Sequence, residues 1–202
     1  MPALRRNLLA LLLVVGVGWS ALAINVLETA SPIGAQHLKL TFGIGLATSE
    51  NGGVTSWHFT PQLRLALGVS DGMDLAVQSG ILSAIGASDV ELLGVIVDAK
   101  FTLADAPGMY AMAWGAGGGY GLDFLGEGWG VFGQFLFESH ARLFPVYLVY
   151  RATLPIDSPD FSLIPHTALG VDFPLAPNTQ LLMGVDLYLG KISIGLGLSI
   201  GF

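Results

Sequence analysis

The last twelve residues of the chain, 191–202, alternate strictly between large apolar residues and small ones after Lys191. A β-strand turns successive side chains to opposite faces, so one face of this segment is apolar and the other is almost bare backbone. A soluble surface is richer in polar side chains than this small face. The pattern is typical of a barrel strand with lipid outside and a narrow lumen inside. The apolar face carries Ile192, Ile194, Leu196, Leu198, Ile200 and Phe202.

The composition supports a membrane protein without membrane-spanning helices. Hydrophobic residues make up 52% of the 202 residues, and charged residues only 11%. A transmembrane helix needs about 20 consecutive apolar residues. After the N-terminus the longest charge-free stretch is Ala106 to Leu122, and its many glycines make it a poor helix. The remaining way to satisfy every backbone polar group in lipid is a closed β-barrel.

The N-terminus has the features of an export signal. Arg5 and Arg6 precede an apolar stretch from Leu8 to Gly18, and Ala21-Leu22-Ala23 is an A-x-A cleavage site. We therefore predict a cleavable signal peptide over residues 1–23, with a retained helical anchor as the alternative. Removing Arg5 and Arg6 moves the formal charge from -7 to -9, which argues against a nucleic-acid partner. The chain has no cysteine, so disulfide and thiolate chemistry are excluded.

The mature chain divides into a short lead and a barrel. Residues 24–36 contain Pro32 and no clear alternation, and we predict a periplasmic lead there. Residues 37–202 predict one all-β, antiparallel, up-and-down transmembrane barrel of about ten strands, within a range of eight to twelve, joined by short turns. The predicted strands are His37–Thr48, Trp57–Ser70, Met73–Ile85, Glu91–Leu103, Met109–Leu122, Trp129–Ser139, Phe144–Leu154, Leu163–Phe173, Thr179–Leu189 and Lys191–Phe202.

Ionised residues fall opposite the apolar stripe in nine places, so we predict that they line the lumen. A Lys or Arg on the lipid face would cost about 2–4 kcal/mol at the midplane. Two interpretations remain open: the charges pair across the lumen and fill it, or the many inward Gly and Ala residues leave a narrow path for small solutes. The predicted lining residues are Lys39, Arg64, Asp74, Asp98, Lys100, Glu138, Arg151, Asp172 and Asp186.

The predicted outward loops are acidic, with only Lys191 opposing seven carboxylates. The plain interpretation is a solvated rim. A sharper hypothesis is a rim that gathers divalent cations bridging lipopolysaccharide, or that favours cations at the mouth of a pore. The rim residues are Glu50, Asp89, Glu91, Asp123, Glu127, Asp157 and Asp160.

Catalysis is not expected from the sequence. Glu138, Ser139 and His140 are consecutive. Neighbours on a strand point to opposite faces, so Ser139 and His140 do not form a nucleophile–base pair. We find no phosphate loop, metal-ligand cluster or nucleophile elbow, and predict no enzyme activity, cofactor or metal.

The export signal, the alternating strands and the terminal Phe202 resemble the small bacterial outer-membrane β-barrel proteins, of porin-like type. In that class the last strand ends in an aromatic residue, and Gly197, Leu198, Ile200 and Phe202 match this assembly signal, while Gly195 replaces a polar residue often found there. The resemblance implies an outer-membrane location, contact with outer-membrane lipid and recognition by the outer-membrane assembly machinery. The oligomeric state stays undetermined.

The sequence thus predicts a structural barrel or a narrow passive pore for small solutes or cations. One alternative is a membrane-embedded binding barrel that uses the acidic rim. A second is a soluble lipocalin-like carrier, whose apolar interior would place Lys39, Arg64 and Asp98 on the outside.

Overall fold

A computed structural model shows a closed barrel of ten antiparallel strands. It describes residues 27–51, 54–84, 90–121, 128–140, 145–157, 163–188 and 191–202. No helix long and apolar enough to cross a bilayer occurs in these ranges. The strands are β1 Leu38–Asn51, β2 Val54–Ser70, β3 Met73–Ala84, β4 Val90–Ala106, β5 Tyr110–Gly121, β6 Gly128–Ser139, β7 Val146–Pro155, β8 Ile164–Ala176, β9 Thr179–Tyr188 and β10 Lys191–Gly201.

The strands follow an up-and-down order, because each pairs with its neighbours in sequence and β1 closes the barrel against β10. Gly43 lies opposite Gly197 in the closing ladder, and Leu38 and Phe202 exchange backbone hydrogen bonds at its end. Full closure removes the unpaired strand edges that lipid cannot satisfy. The predicted fold class and the strand number of ten are confirmed.

Some strands extend beyond their predicted ends. β2 begins at Val54 because its ladder with β1 continues to the Asn51–Val54 pair. β4 continues to Ala106 because a register shift between Thr102 and Ala104 lets its pairing with β5 carry on. The turn residues in the sequence therefore do not mark the ends of these two strands, whose ladders continue past them.

The two faces of the wall have opposite chemistry. Large apolar side chains point outward and are exposed, including Phe42 at 52%, Val97 at 57% and Leu169 at 54%. Polar side chains point inward and are buried, including Arg64 and Asp98. An outward apolar belt suits lipid, whereas a soluble barrel needs the reverse arrangement. The predicted soluble carrier is therefore wrong, since its apolar interior is not what the structure has.

Part of the lumen is filled by the wall itself. The fully buried ring of Tyr147 on β7 lies across Gly170 on β8 and Gly184 on β9, and a Cβ on Gly184 would come within 2.5 Å of the Tyr147 hydroxyl oxygen. Val149, Ala168 and Leu182 are buried in the same apolar cluster. We name the inner wall of β7, β8 and β9 the self-filled sector.

Another part of the lumen is occupied by the N-terminal segment. Residues 24–36 are the predicted periplasmic lead, and within this segment Leu27, Glu28, Thr29 and Ala30 are buried inside the barrel and residues 31–33 are partly buried. We name residues 27–33 the plug. The plug supplies partners for ionised side chains on the inner wall of β2, β3, β4 and β6, whereas ionised groups on β7, β8 and β9 contact other wall residues. We name the inner wall of β2, β3, β4 and β6 the plugged sector.

Candidate functional site

The lumen holds the nine ionised residues predicted to line it. Eight of them are buried and Lys39 is half-buried. None of the nine lies on the lipid face. The eight buried side chains are Arg64, Asp74, Asp98, Lys100, Glu138, Arg151, Asp172 and Asp186.

The plug enters the barrel beside the turn between β2 and β3. The backbone amide of Gln36 donates to the carbonyl oxygen of Gly68 at 2.8 Å, and the Gly68 amide donates to His37 at 2.9 Å. Deeper in, the Ile33 amide donates to both carboxylate oxygens of Asp74 at 3.3 Å. The chain therefore turns inward at the end of the barrel and runs along the lumen toward Glu28.

At the centre of the lumen, Arg64 joins the plug to the wall. Its guanidinium binds Asp98 through two hydrogen bonds of 2.6 and 2.9 Å, and its Nη2 also donates to Glu28 at 2.7 Å. Gln134 on β6 donates to the other oxygen of Glu28 at 3.1 Å. Buried charges persist where partners and hydrogen bonds replace water, and this cluster meets that condition.

Closer to the end where the plug enters the barrel, Lys100 binds the plug backbone. Its ammonium donates to the carbonyl oxygens of Thr29 at 3.0 Å and Ser31 at 2.9 Å, and it forms an ion pair with Asp74 at 3.0 Å. The Lys39 ammonium donates to the Thr29 hydroxyl at 3.4 Å. The wall thus satisfies backbone carbonyl groups of the plug that no strand partner reaches.

The apolar residues of the plug fit a socket of small wall residues. A Cβ on either Gly43 or Gly197 would come within 2.6 Å of Leu27 Cδ1. These glycines lie opposite each other in the β1–β10 ladder, so their missing side chains form one recess. Leu27 and Ala30 belong to the same apolar cluster as Tyr147. The plug therefore has a polar side toward the plugged sector and an apolar side.

Ser31, His140 and Glu138 meet near the end of the barrel where the plug enters, but they are not a catalytic triad. The Ser31 hydroxyl lies 3.0 Å from His140 Nε2, and a Glu138 oxygen lies 3.5 Å from the same ring nitrogen. A triad needs the acid on the opposite nitrogen, so that it orients the base toward the hydroxyl. Glu138 also accepts the Ser31 backbone N–H at 2.9 Å, which makes it a plug anchor.

Three predicted lining residues make described contacts with other residues of the wall. Arg151 donates through Nε and Nη2 to the Gln134 side-chain oxygen at 3.0 and 2.8 Å. Asp172 accepts from Gln180 at 2.8 Å, and Asp186 lies 3.7 Å from His166 Nε2. These contacts hold the wall together independently of the plug.

The space left beside the plug is small. One cavity of about 20 Å³ lies between the plug and the inner wall, lined by Glu28, Lys39 and Arg64 among others. That is about the room one water molecule needs.

The predicted assembly signal divides between the two faces. Leu198 and Phe202 are exposed on the outside, and Ile200 is half-buried. Gly197 faces inward, where it makes room for Leu27. The structure thus gives Gly197 a packing role, and recognition by the assembly machinery stays a prediction.

The acidic rim also stays a prediction. Asp89, Asp123, Glu127 and Asp160 lie outside the described residues, and for Glu50 and Glu91 only the backbone is described. Asp157 is exposed, and its carboxylate accepts the Trp129 backbone N–H at 2.8 Å. Its described contact is therefore a structural one that ties two strand ends together.

Sequence reasoning missed Glu28, Thr29 and Ser31, which provide most of the polar contacts of the plug. Glu28 is the first acid in the chain and precedes the barrel by only ten residues. A carboxylate there, combined with a lumen lined by glycines and cations, is the signal that could have indicated a segment folding inward.

Comparisons with known proteins add little to this geometry. No protein family matches the sequence, and no curated protein is similar to it. Among solved structures, the KdgM porin is 7% identical with a TM-score of 0.43, covering 81% of this chain and 99% of that one. The N-terminal β-barrel domain of Pseudomonas aeruginosa OprF is 13% identical with a TM-score of 0.39, covering 84% and 99%. Neisserial surface protein A is 12% identical with a TM-score of 0.36, covering 82% and 94%. Values this low assign no function.

Proposed function

We propose that the protein is an integral outer-membrane β-barrel that forms a narrow passive pore, held closed by its own plug. The outward apolar belt and the predicted export signal support the membrane location. A solute path is supported by the plugged sector, whose wall is polar and lined with charge. Small solutes or cations are the expected cargo, and no catalytic step is part of the proposal.

One observation carries this proposal: a segment that belongs to no strand lies in the lumen and contacts ionised groups of the wall. A barrel that is only structural can fill its lumen with wall side chains, as the self-filled sector does with Tyr147. In the plugged sector the side chains of the inner wall carry ionised groups, and residues 27–33 pack against these groups and bind them. Among the described residues the plug is continuous with β1 through residues 34–37 and belongs to no strand ladder, so it can leave without breaking one.

Single-channel recording in planar bilayers tests the proposal. The comparison is between the wild-type barrel and a variant in which residues 27–33 are replaced by a Gly-Ser segment of equal length, which keeps the connection but loses the contacts. We expect rare, brief openings from the wild type and a sustained current from the variant. The heat-dependent gel shift of folded barrels serves as the folding control.

Two results would count against the proposal. If the variant shifts on the gel like the wild type but passes no current, the protein is a purely structural barrel. Equal, sustained currents from both proteins would show that the plug does not close the lumen.

A further inference from the structure

The carboxylate of Glu28 sits between two donors from the wall. Its Oε1 accepts from Arg64 Nη2 at 2.7 Å and its Oε2 accepts from Gln134 Nε2 at 3.1 Å. Arg64 is 7% exposed and Gln134 5%. Each oxygen of the planar group therefore has its own N–H donor in a buried setting, which is the way proteins bind a carboxylate.

Both donors are held in place by wall residues. Asp98 binds the Arg64 guanidinium through two hydrogen bonds, and this contact does not involve the plug. Arg151 donates twice to the side-chain oxygen of Gln134, so the amide must present its NH₂ group toward Glu28. The Arg151 guanidinium is itself stacked on Phe132, 4.2 Å from the ring centroid. The pair of donors therefore persists when Glu28 is absent.

The charges of this cluster match one monoanion. Among the groups joined to Arg64 and Gln134 by hydrogen bonds, the wall contributes two guanidinium groups, Arg64 and Arg151, and one carboxylate, Asp98, which leaves one positive charge. Glu28 brings this sum to zero. A single carboxylate gives the same balance, whereas a dianion leaves an uncompensated buried charge, which is costly.

We infer that Arg64 and Gln134 form a binding site for small monocarboxylate anions inside the pore, and that Glu28 occupies this site in the closed state. The inference rests on the proposed pore, since a solute reaches the site only when the plug moves. A monocarboxylate in the lumen competes with Glu28 for the same two donors. Its binding therefore favours the open state, because a ligand shifts an equilibrium toward the state it binds better.

Glu28→Ala provides the direct test, because it removes the resident carboxylate and leaves the two donors. The purified variant is unfolded thermally in detergent with rising sodium acetate or formate, beside sodium chloride at equal ionic strength and acetamide as the uncharged isostere. We expect acetate and formate to raise the unfolding temperature of the variant in a saturable way. Acetamide and chloride should not, and the wild type should show no such rise. Equal effects of all four additives, or an equal rise in the wild type, would overturn the inference.

A second measurement tests the site if the Glu28→Ala variant fails to fold. With Glu28 retained, an Ala30→Cys protein reports on plug departure through its reaction with a water-soluble maleimide, since Ala30 is fully buried. We expect acetate to increase the labelling rate several-fold over chloride at equal ionic strength, and no increase in an Ala30→Cys/Gln134→Ala protein. Equal rates in acetate and chloride contradict the site. The proposed pore fails separately, by the absence of current from the Gly-Ser variant.

Discussion

Two sectors of one lumen are filled in opposite ways. In the self-filled sector Tyr147 lies over Gly170 and Gly184, and Leu27 and Ala30 of the plug join the same apolar cluster. In the plugged sector Arg64 and Lys100 project ionised groups that the plug completes through Glu28, Thr29 and Ser31. The difference teaches that a barrel of ten strands has more room than its wall side chains fill. Around Arg64 and Lys100, a segment from outside the wall occupies that room.

The comparison predicts that mutations of wall contacts lower the stability of the barrel, whereas mutations of plug contacts raise its conductance. Loss of a wall contact should weaken the whole barrel. Loss of a plug contact should release the plug while the strands stay paired, because residues 27–33 belong to no strand of the barrel.

The largest effect is expected from Arg64→Ala, because Arg64 belongs to the wall and binds the plug. The substitution leaves the carboxylates of Glu28 and Asp98 without their shared guanidinium. Breaking a buried ion pair in this way costs about 3–5 kcal/mol. Urea unfolding in lipid vesicles, followed by tryptophan fluorescence, measures the loss. Removing the exposed charge of Asp105 by Asp105→Ala is the control and should change the free energy of unfolding by less than about 0.5 kcal/mol. Equal losses in the two variants would contradict the Arg64 cluster.

Leu27→Ala should act on the plug alone. The side chain is 5% exposed and fills the recess at Gly43 and Gly197, so its truncation weakens plug docking by about 2–5 kcal/mol. We expect frequent channel openings in planar bilayers together with a nearly unchanged urea midpoint for the barrel. Leu75→Ala on the outer face, where Leu75 is 41% exposed, is the matched control and should not open the pore. A lowered midpoint without new openings would mean that the plug is part of the barrel's folding unit.

Gly184→Ala should destabilise the self-filled sector without opening the pore. The new Cβ comes within 2.5 Å of the Tyr147 hydroxyl oxygen, and overpacking of this kind costs about 1–3 kcal/mol. Tyr147→Phe removes that oxygen, which has no hydrogen-bond partner among the described residues, so the double variant should recover most of the loss. The urea midpoints of the single and double variants form the cycle.

Gly133→Ala is the control for that cycle, because a Cβ there meets no atom within 4 Å. It should leave the midpoint unchanged or raise it slightly. No recovery in the Gly184→Ala/Tyr147→Phe protein would show that Tyr147 does not lie over Gly184.

The sequence predicts the wall well because the wall obeys a local rule. Alternation along each strand places Phe42 outside and Arg64 inside, and ten such segments predict ten strands. The position of the ionised groups follows from the same alternation, since lipid penalises them on the outer face.

The plug escapes sequence prediction because its contacts are distant in the chain and have no period. Glu28 meets Gln134 across 106 positions, and Ser31 meets His140 across 109. Residues 27–33 form no strand, so no alternation marks which side chains face the wall. The packing of Tyr147 over two glycines is equally hidden, since Gly170 and Gly184 become neighbours only through the β8–β9 register.

The position of residue 30 tests the central claim, that the N-terminal segment occupies the lumen. The chain has no native cysteine, so Ala30→Cys carries the only thiol, and Gly72→Cys in an exposed turn serves as its reference. Both proteins are treated with a water-soluble maleimide, folded in lipid vesicles and again in urea. The structure predicts that Cys at position 30 is protected in the folded protein and reacts in urea, while Cys at position 72 reacts in both. Labelling at position 30 as fast as at position 72 in the folded protein would contradict the account.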